Sequence, residues 1–406
     1  MSTQDYAAFT PEFWSKRIQV TLRKILISRF IASFEERATL RQGDKVHRPR
    51  YTIGNPVDYV KSTGYTEYSG VTTTDQFLEI DTAKVLPIFI SREDIIQNKY
   101  DTAIELANQG AYKLRREIDA AVFNEYDNAF ATIDDGDIGG TAGNPITMST
   151  TNFIKTLTMG KAKLLGNNVE DDRAWSWVVD PITVAHMEQY LPTIGFQQSD
   201  REISKGLWNG MVAHKWGLDI YQSNNLTWTG SLNFGSNPTD GDTVTINSVI
   251  YTFKATPALA GAVDIGGSTA VSIDNLVLAI NGGAVGSAYI ALSAADRLRM
   301  YNITATDGTT KMTLEAVGNS IVNCSETLTA GADIFSLKET HTLMMRNGAI
   351  DQVIQDEVNV VTIENPVNVE SLATRLGRDM VPNTMYGTKT FYEGAQRMLD
   401  VQVANG

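Results

Sequence analysis

The chain has 406 residues, 42% of them apolar and 20% charged, and a net charge of −13, an ordinary globular composition with room for two or three domains. It contains no apolar run near the roughly 18 to 20 residues of a membrane span, and its opening stretch up to Pro11 is acidic and polar, unlike a signal peptide. Cys324 is the only cysteine, which excludes an intrachain disulfide and fits a reducing compartment such as the cytoplasm.

The first predicted element is a basic amphipathic helix over about residues 10 to 39. Thr10 caps it, Pro11 takes the first helical position, and Trp14, Ile18, Leu22, Ile25, Phe30 and Phe34 follow at helical spacing. The first 50 residues hold ten basic side chains (Lys16, Arg17, Arg23, Lys24, Arg29, Arg37, Arg41, Lys45, Arg48, Arg50) against five acidic ones, so the remainder carries −18. A basic arm on an acidic body can dock on a neighbouring acidic body. The alternatives are a solvated helix face and contact with nucleic-acid phosphates.

An extended, Thr-, Tyr- and Gly-rich stretch follows over residues 43 to 90. Gly54-Asn55-Pro56, Gly64 and Gly70 mark turns, and Tyr51, Tyr59, Tyr65 and Tyr68 punctuate the strands. A hairpin with limbs of roughly 20 residues reaches about 60 to 70 Å. A compact body of about 300 residues has a radius of gyration near 19 Å, so the expected partners are other copies.

The run at residues 85 to 90 predicts a buried strand, and Ser91-Arg92-Glu93-Asp94 resembles a capping box closed by Asp. A long helix to about Tyr126 places Ile104, Ala107, Ala111, Leu114, Ile118 and Val122 on one face, with Glu105, Lys113, Arg116 and Glu125 opposite. It reads as a spine helix across a sheet. Residues 134 to 144 form a Gly- and Asp-rich loop that lacks the closing Glu of a calcium loop. Beyond it a helix (151 to 165), a strand (175 to 179), the turn Asp180-Pro181, a helix through Met187 and strands at 211 to 214 and 218 to 221 predict a mixed α/β unit.

Composition shifts between residues 235 and 336, which contain no Trp and only four Lys or Arg. A hairpin turned by Asn247-Ser248, a short helix at 272 to 280 stopped by Asn281-Gly282, and a hairpin turned by Asp307-Gly308 predict a β-rich insert. Strands at 341 to 345 and 351 to 363 then resume the interrupted domain, so the ends of the insert are expected side by side.

No site of chemistry emerges. His47, His186, His214 and His341 lie in four separate segments, and no zinc, phosphate-loop or nucleophile-elbow motif is present. Cys324 reads as a small buried hydrophobe, and Glu170-Asp171-Asp172-Arg173 as a solvated turn. No catalytic, cofactor-binding or metal-binding residue is assigned, no cofactor is expected, and an enzyme is disfavoured.

In their order these segments resemble the major capsid (coat) protein of tailed bacteriophages, of the Hong Kong 97-type fold. Trp177-Val178-Val179-Asp180-Pro181 is similar to the family's strand and proline ahead of an axial-domain helix. Gly210-Met211-Val212 with Gly217-Leu218-Asp219-Ile220-Tyr221-Gln222-Ser223-Asn224 is similar to a second family segment. Arg378-Asp379-Met380-Val381 with Tyr386-Gly387-Thr388-Lys389 resembles the approach to a last peripheral strand, expected at residues 398 to 403. The likeness covers residues 10 to 230 and 337 to 406. The start of the insert, Thr239-Asp240-Gly241-Asp242, resembles small β-rich modules of phage virion proteins.

The resemblance implies an α+β fold divided into an N-terminal arm (1–42), an extended loop (43–90), a peripheral domain with the spine helix (91–133), an axial domain (134–235 and 336–380), an insertion domain (236–335) and a C-terminal peripheral part (381–406). It implies a homo-oligomer of hexamers and pentamers forming the icosahedral head. The shell is expected to enclose double-stranded DNA without specific recognition, with scaffolding and portal proteins as partners and no membrane. Its expected location is the virion, after assembly in the host bacterial cytoplasm. An encapsulin-like compartment shell and a secreted adhesive protein are the alternatives. Deletion of residues 1 to 38 is expected to leave a folded subunit, and the insert is expected to be dispensable for folding. Some family members crosslink Lys to Asn; here Lys61, Lys84 and Asn383 are available, but Glu67 and Glu79 lie among polar neighbours, so a noncovalent shell is expected.

Overall fold

The computed structural model describes residues 26–37, 43–64, 70–97, 102–170, 174–193, 211–215, 217–283, 286–329, 334–364, 374 and 376–405. Most of the predicted N-terminal helix lies outside them. Its described end is only a short helix, α1 (Ser28–Ile31), because Ala32 turns extended and Ser33 joins the backbone of Ile350 and Gln352 instead. The hairpin comes next: β1 (Lys45–Ile53) pairs antiparallel with β2 (Val71–Glu79) over nine residue pairs.

The strand expected at 85 to 90 is two strands, β3 (Thr82–Val85) and β4 (Ile88–Ser91), on either side of Leu86-Pro87. Pro87 has no N–H to offer a ladder. Ser91 starts α2 (Arg92–Gln97): its Oγ accepts from the Asp94 N–H at 3.0 Å and donates to the Asp94 carboxylate at 2.7 Å. The spine helix is α3 (Thr102–Phe123), ended by a 3₁₀ turn at Asn124–Asn128. Leu114, Ile118 and Val122 are buried as the helical spacing predicts, whereas Ile104 is exposed.

The larger sheet has nine strands among the described residues. Its centre is β16 (Ile334–Arg346), flanked by β6 (Trp175–Val179), β9 (Thr227–Asn233) and β19 (Met398–Ala404). Beyond β6 lie β8 (Leu218–Gln222), parallel to it, and β7 (Met211–Lys215); β5 (Ala131–Ile133) runs parallel to β19. β6 is buried along its whole length because both faces of the sheet are covered. Trp175, Trp177 and Val179 pack with Phe153, Leu157 and Leu164 of α4 (Thr150–Gly166), capped by Ser149, and with Val184 and Met187 of α5 (Pro181–Thr193). Val178, on the other face, packs with Val122 and Phe123 of α3 and with Ile27 and Ile31. Each such side chain contributes about 1.5 to 3 kcal/mol.

The second sheet pairs β17 (Asp351–Glu364) with β18 (Gly377–Lys389), and β3 and β4 each pair with part of β18. α3 lies against it, so closely that a Cβ on Gly110 would come within 2.8 Å of Pro382 and 3.5 Å of Ile88. The extended loop therefore ends near Glu79, since β3 and β4 are part of this sheet. The C-terminal parts differ from expectation in the same way. Residues 351–364 and 377–389 sit with the spine helix, while the last strand, expected there, lies in the larger sheet between β16 and β5.

The insert builds its own core. β10 (Thr243–Ile246) and β11 (Val249–Lys254) join at Asn247 and Ser248, both at positive φ (48° and 67°), the backbone of a tight hairpin turn. β12 (Ala262–Asp264) and β15 (Cys324–Glu326) complete a four-stranded sheet, which packs with α6 (Thr269–Asn281), capped by Ser268 and ended at Gly282. A shorter helix, α7 (Ala294–Arg299), follows. The ends are adjacent, with Asn233 opposite Ile334 and Ser231 opposite Ser336. However, the hairpin β13 (Ile303–Thr306) and β14 (Lys311–Ala316) extends the larger sheet along β9, and Trp228 and Leu232 of β9 belong to the insert's core. Excision of 236–335 strips both, which corrects the expectation that the insert is dispensable for folding.

Gly110→Val places two further methyl groups where Pro382 stands, so it should lower unfolding free energy by about 1 to 3 kcal/mol, despite valine's better helix propensity. Denaturant melts of the purified subunit measure this.

Candidate assembly interface

The hairpin is firm at its base and bare beyond it. Leu78 is buried with Val353 and Phe391, and the Ile80 N–H donates to the Asp44 carbonyl at 2.9 Å. Arg48 donates to Glu36 at 2.7 Å and to Asp351 at 3.2 Å, with its guanidinium 4.1 Å from the centre of the Phe391 ring. Burial acts to lower the Arg48 pKa, but Glu36 and Asp351 outweigh it and hold the group firmly charged. Lys45 pairs with Glu79 at 3.0 Å. Three of the ten basic residues of the N-terminal region thus serve the hairpin base, Arg50 by packing on Tyr392. Lys16, Arg17, Arg23, Lys24 and Arg41 lie outside the described residues.

Past Arg50 the ribbon exposes apolar side chains on one face of the ladder and in the segment that follows it. Ile53 is 73% exposed and Tyr59 72%, with Tyr51, Val57 and Val60 near them in sequence and Val71 opposite Ile53 in the ladder. Nine residues at about 3.4 Å each make this ladder about 30 Å long, shorter than two 20-residue limbs would be. A two-stranded ribbon alone is marginal in water, and contiguous exposed apolar surface marks an interaction site. Two further apolar groups are uncovered: Ile95, Ile96 and Ile104 on α2 and α3, and Val361, Ile363 and Leu376 at the far end of the second sheet.

Three of the buried polar nodes among the described residues centre on Asp119, Glu117 and His341. Asp119 accepts from the N–H groups of Ile27 (2.8 Å) and Ser28 (2.7 Å) and from the Asn225 amide (3.0 Å). Burial pushes its carboxyl up despite these donors. Ile27 and Ile31 are fully buried in the same core as α3. Deleting residues 1 to 38 therefore removes part of the subunit's own core, which corrects the expectation of an unaffected fold.

Glu117, two positions earlier, accepts from both Lys84 (3.0 Å) and the Asn302 amide (2.9 and 3.0 Å) and pairs with Arg116 at 3.2 Å. Burial acts to raise it, but the hydrogen bonds from Asn302 and Lys84 and the two cations keep it below the ordinary carboxylate range. The third node is His341, whose ring stacks on Tyr126 at 3.8 Å and lies 2.8 Å from both Asp400 and Thr229.

The residues named from the sequence are scattered. His47 meets Asp75 at 2.5 Å on the exposed hairpin, His186 is half-buried on α5, His214 lies on β7, and His341 is alone in the centre. Among the described residues no three His, Cys, Asp or Glu side chains are grouped to hold a metal ion. Burial pushes the Cys324 thiol up to about 12, so it behaves as a small hydrophobe. Asp171, Asp172 and Glu67 lie outside the described residues. Lys61 is exposed, and Asn383 sits in β18 opposite Val85. The carboxylate that meets Lys84 is Glu117, which helical spacing did not single out. Lys84, with its side chain 38% exposed, faces an ionised acid. That salt bridge ties the amine to a carboxylate of its own subunit.

The sequence matches a family model described as phage capsid protein over residues 80–253. No curated protein matches it. Among solved structures it is similar to one of Mycobacterium phage Che8, with 13% identity and a TM-score of 0.54 over 97% of this chain and 96% of that one. It is also similar to the capsid structure of cyanophage P-SCSP1u, with 13% identity and a TM-score of 0.53 over 100% and 96%. The chain thus has the fold of tailed-phage capsid proteins. That fold, of the Hong Kong 97 type, is the one the order of its segments implied.

The His341 node gives a pH dependence of definite sign. Burial acts to lower the imidazole pKa, but Asp400, Glu339 and Asp127 outweigh it and raise it. Burial raises Asp400, Glu339 and Glu315 as well. A raised His341 adds stability that is complete below its unfolded value of about 6.5 and is lost as pH rises through the folded value. The raised carboxylates act in the same direction from about pH 4 upward. Stability should therefore fall as pH rises above about 6.5, by up to about 1.4 kcal/mol per pH unit for one group. His341→Gln should flatten this slope in chemical denaturation, whereas a slope unchanged by the substitution contradicts it.

Boiled particles should run on a denaturing gel as one band at the chain mass of 44.5 kDa, because Lys84 is tied to Glu117 in an ion pair. A ladder of covalent multimers contradicts this.

Proposed function

We propose that this chain is the major capsid protein of a tailed phage, assembling with its own copies into the icosahedral head shell around double-stranded DNA. The observation that carries this reading is a hairpin anchored tightly at its base, whose apolar outer part nothing among the described residues covers, on a fold shared with phage capsids. A neighbouring copy supplies the missing cover. The subunit divides by function into the spine helix with the second sheet, the larger sheet, the hairpin, and the insert at 236–335, which stands as a surface module. Hexamers and pentamers make the shell, with a scaffolding protein and a portal as partners in assembly. The DNA is enclosed without specific recognition, since an acidic shell gains nothing by holding phosphates. Assembly takes place in the host bacterial cytoplasm, and the product resides in the virion. No described helix is long and apolar enough to cross a membrane.

Expression with the phage's other head proteins should give closed shells by negative-stain microscopy, holding nuclease-protected DNA in infected cells; particles filled with protein cargo would favour a compartment shell. Ile53→Asp with Tyr59→Asp should leave a folded subunit, with circular dichroism and melting unchanged, while closed shells fall at least tenfold. Normal shells from that variant would remove the hairpin from the interface.

A further inference from the structure

A half-open cavity of about 420 Å³ lies where the hairpin base meets α8 (Tyr392–Ala395) and the end of α4. Four arginines line it, Arg48, Arg50, Arg346 and Arg397, against two carboxylates, Glu170 and Glu393. Its frame is fixed by local bonds. The Tyr392 N–H donates to Gln76 at 2.8 Å, and the Asn167 amide donates to the Gln396 carbonyl at 2.7 Å. Arg48 is neutralised by Glu36 and Asp351, and Arg346 lies 3.6 Å from Glu170. Arg50 and Arg397 have no such counterion among the described residues. The Arg50 guanidinium is parked 3.3 Å from the centre of the Tyr392 ring, an arrangement that leaves its N–H fork unused by any acid among the described residues.

Two uncompensated guanidinium groups in a concave site are unusual in a protein of net charge −13. The C-terminal end of α4 adds a partial negative charge, roughly half a unit and confined to the last turn. That is less than either whole guanidinium charge. Planar guanidinium forks match oxyanions, and carboxylates in particular, by paired hydrogen bonds.

We propose that this cavity is a receptor for a carboxylate side chain of a second copy of this chain. The argument for that occupant is charge and place. Every copy presents an acidic surface, so like copies repel wherever they meet unless cations are held for the contact. The cavity adjoins the base of the very element whose outer part lacks cover. The inference rests on the shell-forming function, and gives that shell a specific ionic contact beside its apolar ones.

The test uses shells assembled from equal amounts of isotopically labelled and unlabelled subunits carrying Arg50→Lys or Arg397→Lys. These substitutions keep the charge and supply an amine. A zero-length carbodiimide joins an amine to a carboxylate only at ion-pair distance. Peptides of mixed labelling, linking position 50 or 397 to an Asp or Glu of another copy, are the expected result. Arg50→Gln with Arg397→Gln should cut shell yield at least tenfold at low salt. Only same-chain links to Glu170 or Glu393, or none, would overturn the proposal, as would normal yield from the Gln pair. Normal shells from the Gln pair that lose DNA more readily in salt would assign the cavity to phosphate and equally overturn it. If the unaltered chain forms no shells, it is the proposed function that has failed.

Discussion

One turn of the spine helix holds the subunit together. Glu117, Ile118 and Asp119 are consecutive, and their polar groups reach five different parts of the chain. Glu117 takes Asn302 of the insert and Lys84 of β3, the Ile118 carbonyl accepts from Gln352 of β17 at 3.0 Å, and Asp119 takes the backbone of residues 27 and 28 together with Asn225. Burying two carboxylates this close is costly unless each is fully supplied with donors. Removing a donor from such a node leaves an uncompensated buried group, at a cost of about 3 to 5 kcal/mol where the lost partner is a charge. The insert, the second sheet and the N-terminal segment are thereby coupled through one helical turn, although their apolar cores are separate.

That coupling accounts for the limits of a modular description. The insert has its own core, yet it lends β14 to the larger sheet and Asn302 to the helix. The N-terminal segment carries basic residues suited to a free arm, yet Ile27 and Ile31 are core residues of the same subunit. Apolar surfaces left uncovered among the described residues lie farther out, on the hairpin beyond Arg50 and at the ends of α2, α3 and the second sheet. The subunit is thus rigid where its parts meet and unfinished at its edges.

Local features of this fold were legible in the sequence. Asn247-Ser248 and Asn281-Gly282 mark their turn and helix end because they tolerate a left-handed backbone, a property of the residues themselves. The burial of Leu114, Ile118 and Val122 follows from helical spacing alone. Partner choice was not legible in the same way. Residues 398–403 read as a strand, but the pattern is the same whichever sheet receives it, and pairing with β16 decided the matter. Phe34 continued a helical spacing, yet backbone pairing of Ser33 with Ile350 and Gln352 ended the helix earlier. Glu117 and Asp119 look like solvent-facing charges on a helix. Their burial depends on Asn302, 185 residues away from Glu117, and on Asn225, and no spacing rule contains that information.

The hairpin ladder has a mechanical meaning as well. A neighbour gripping its outer part and drawn away along the strands loads nine residue pairs side by side, so they share the force and do not peel one after another. At the inner end that force arrives at Arg48, whose two carboxylates sit on Glu36 and on Asp351, the first residue of β17. Tension in a filled, pressurised shell would then spread into both the N-terminal segment and the second sheet. The hairpin can in this way act as a tie-rod whose anchorage is as broad as the subunit itself.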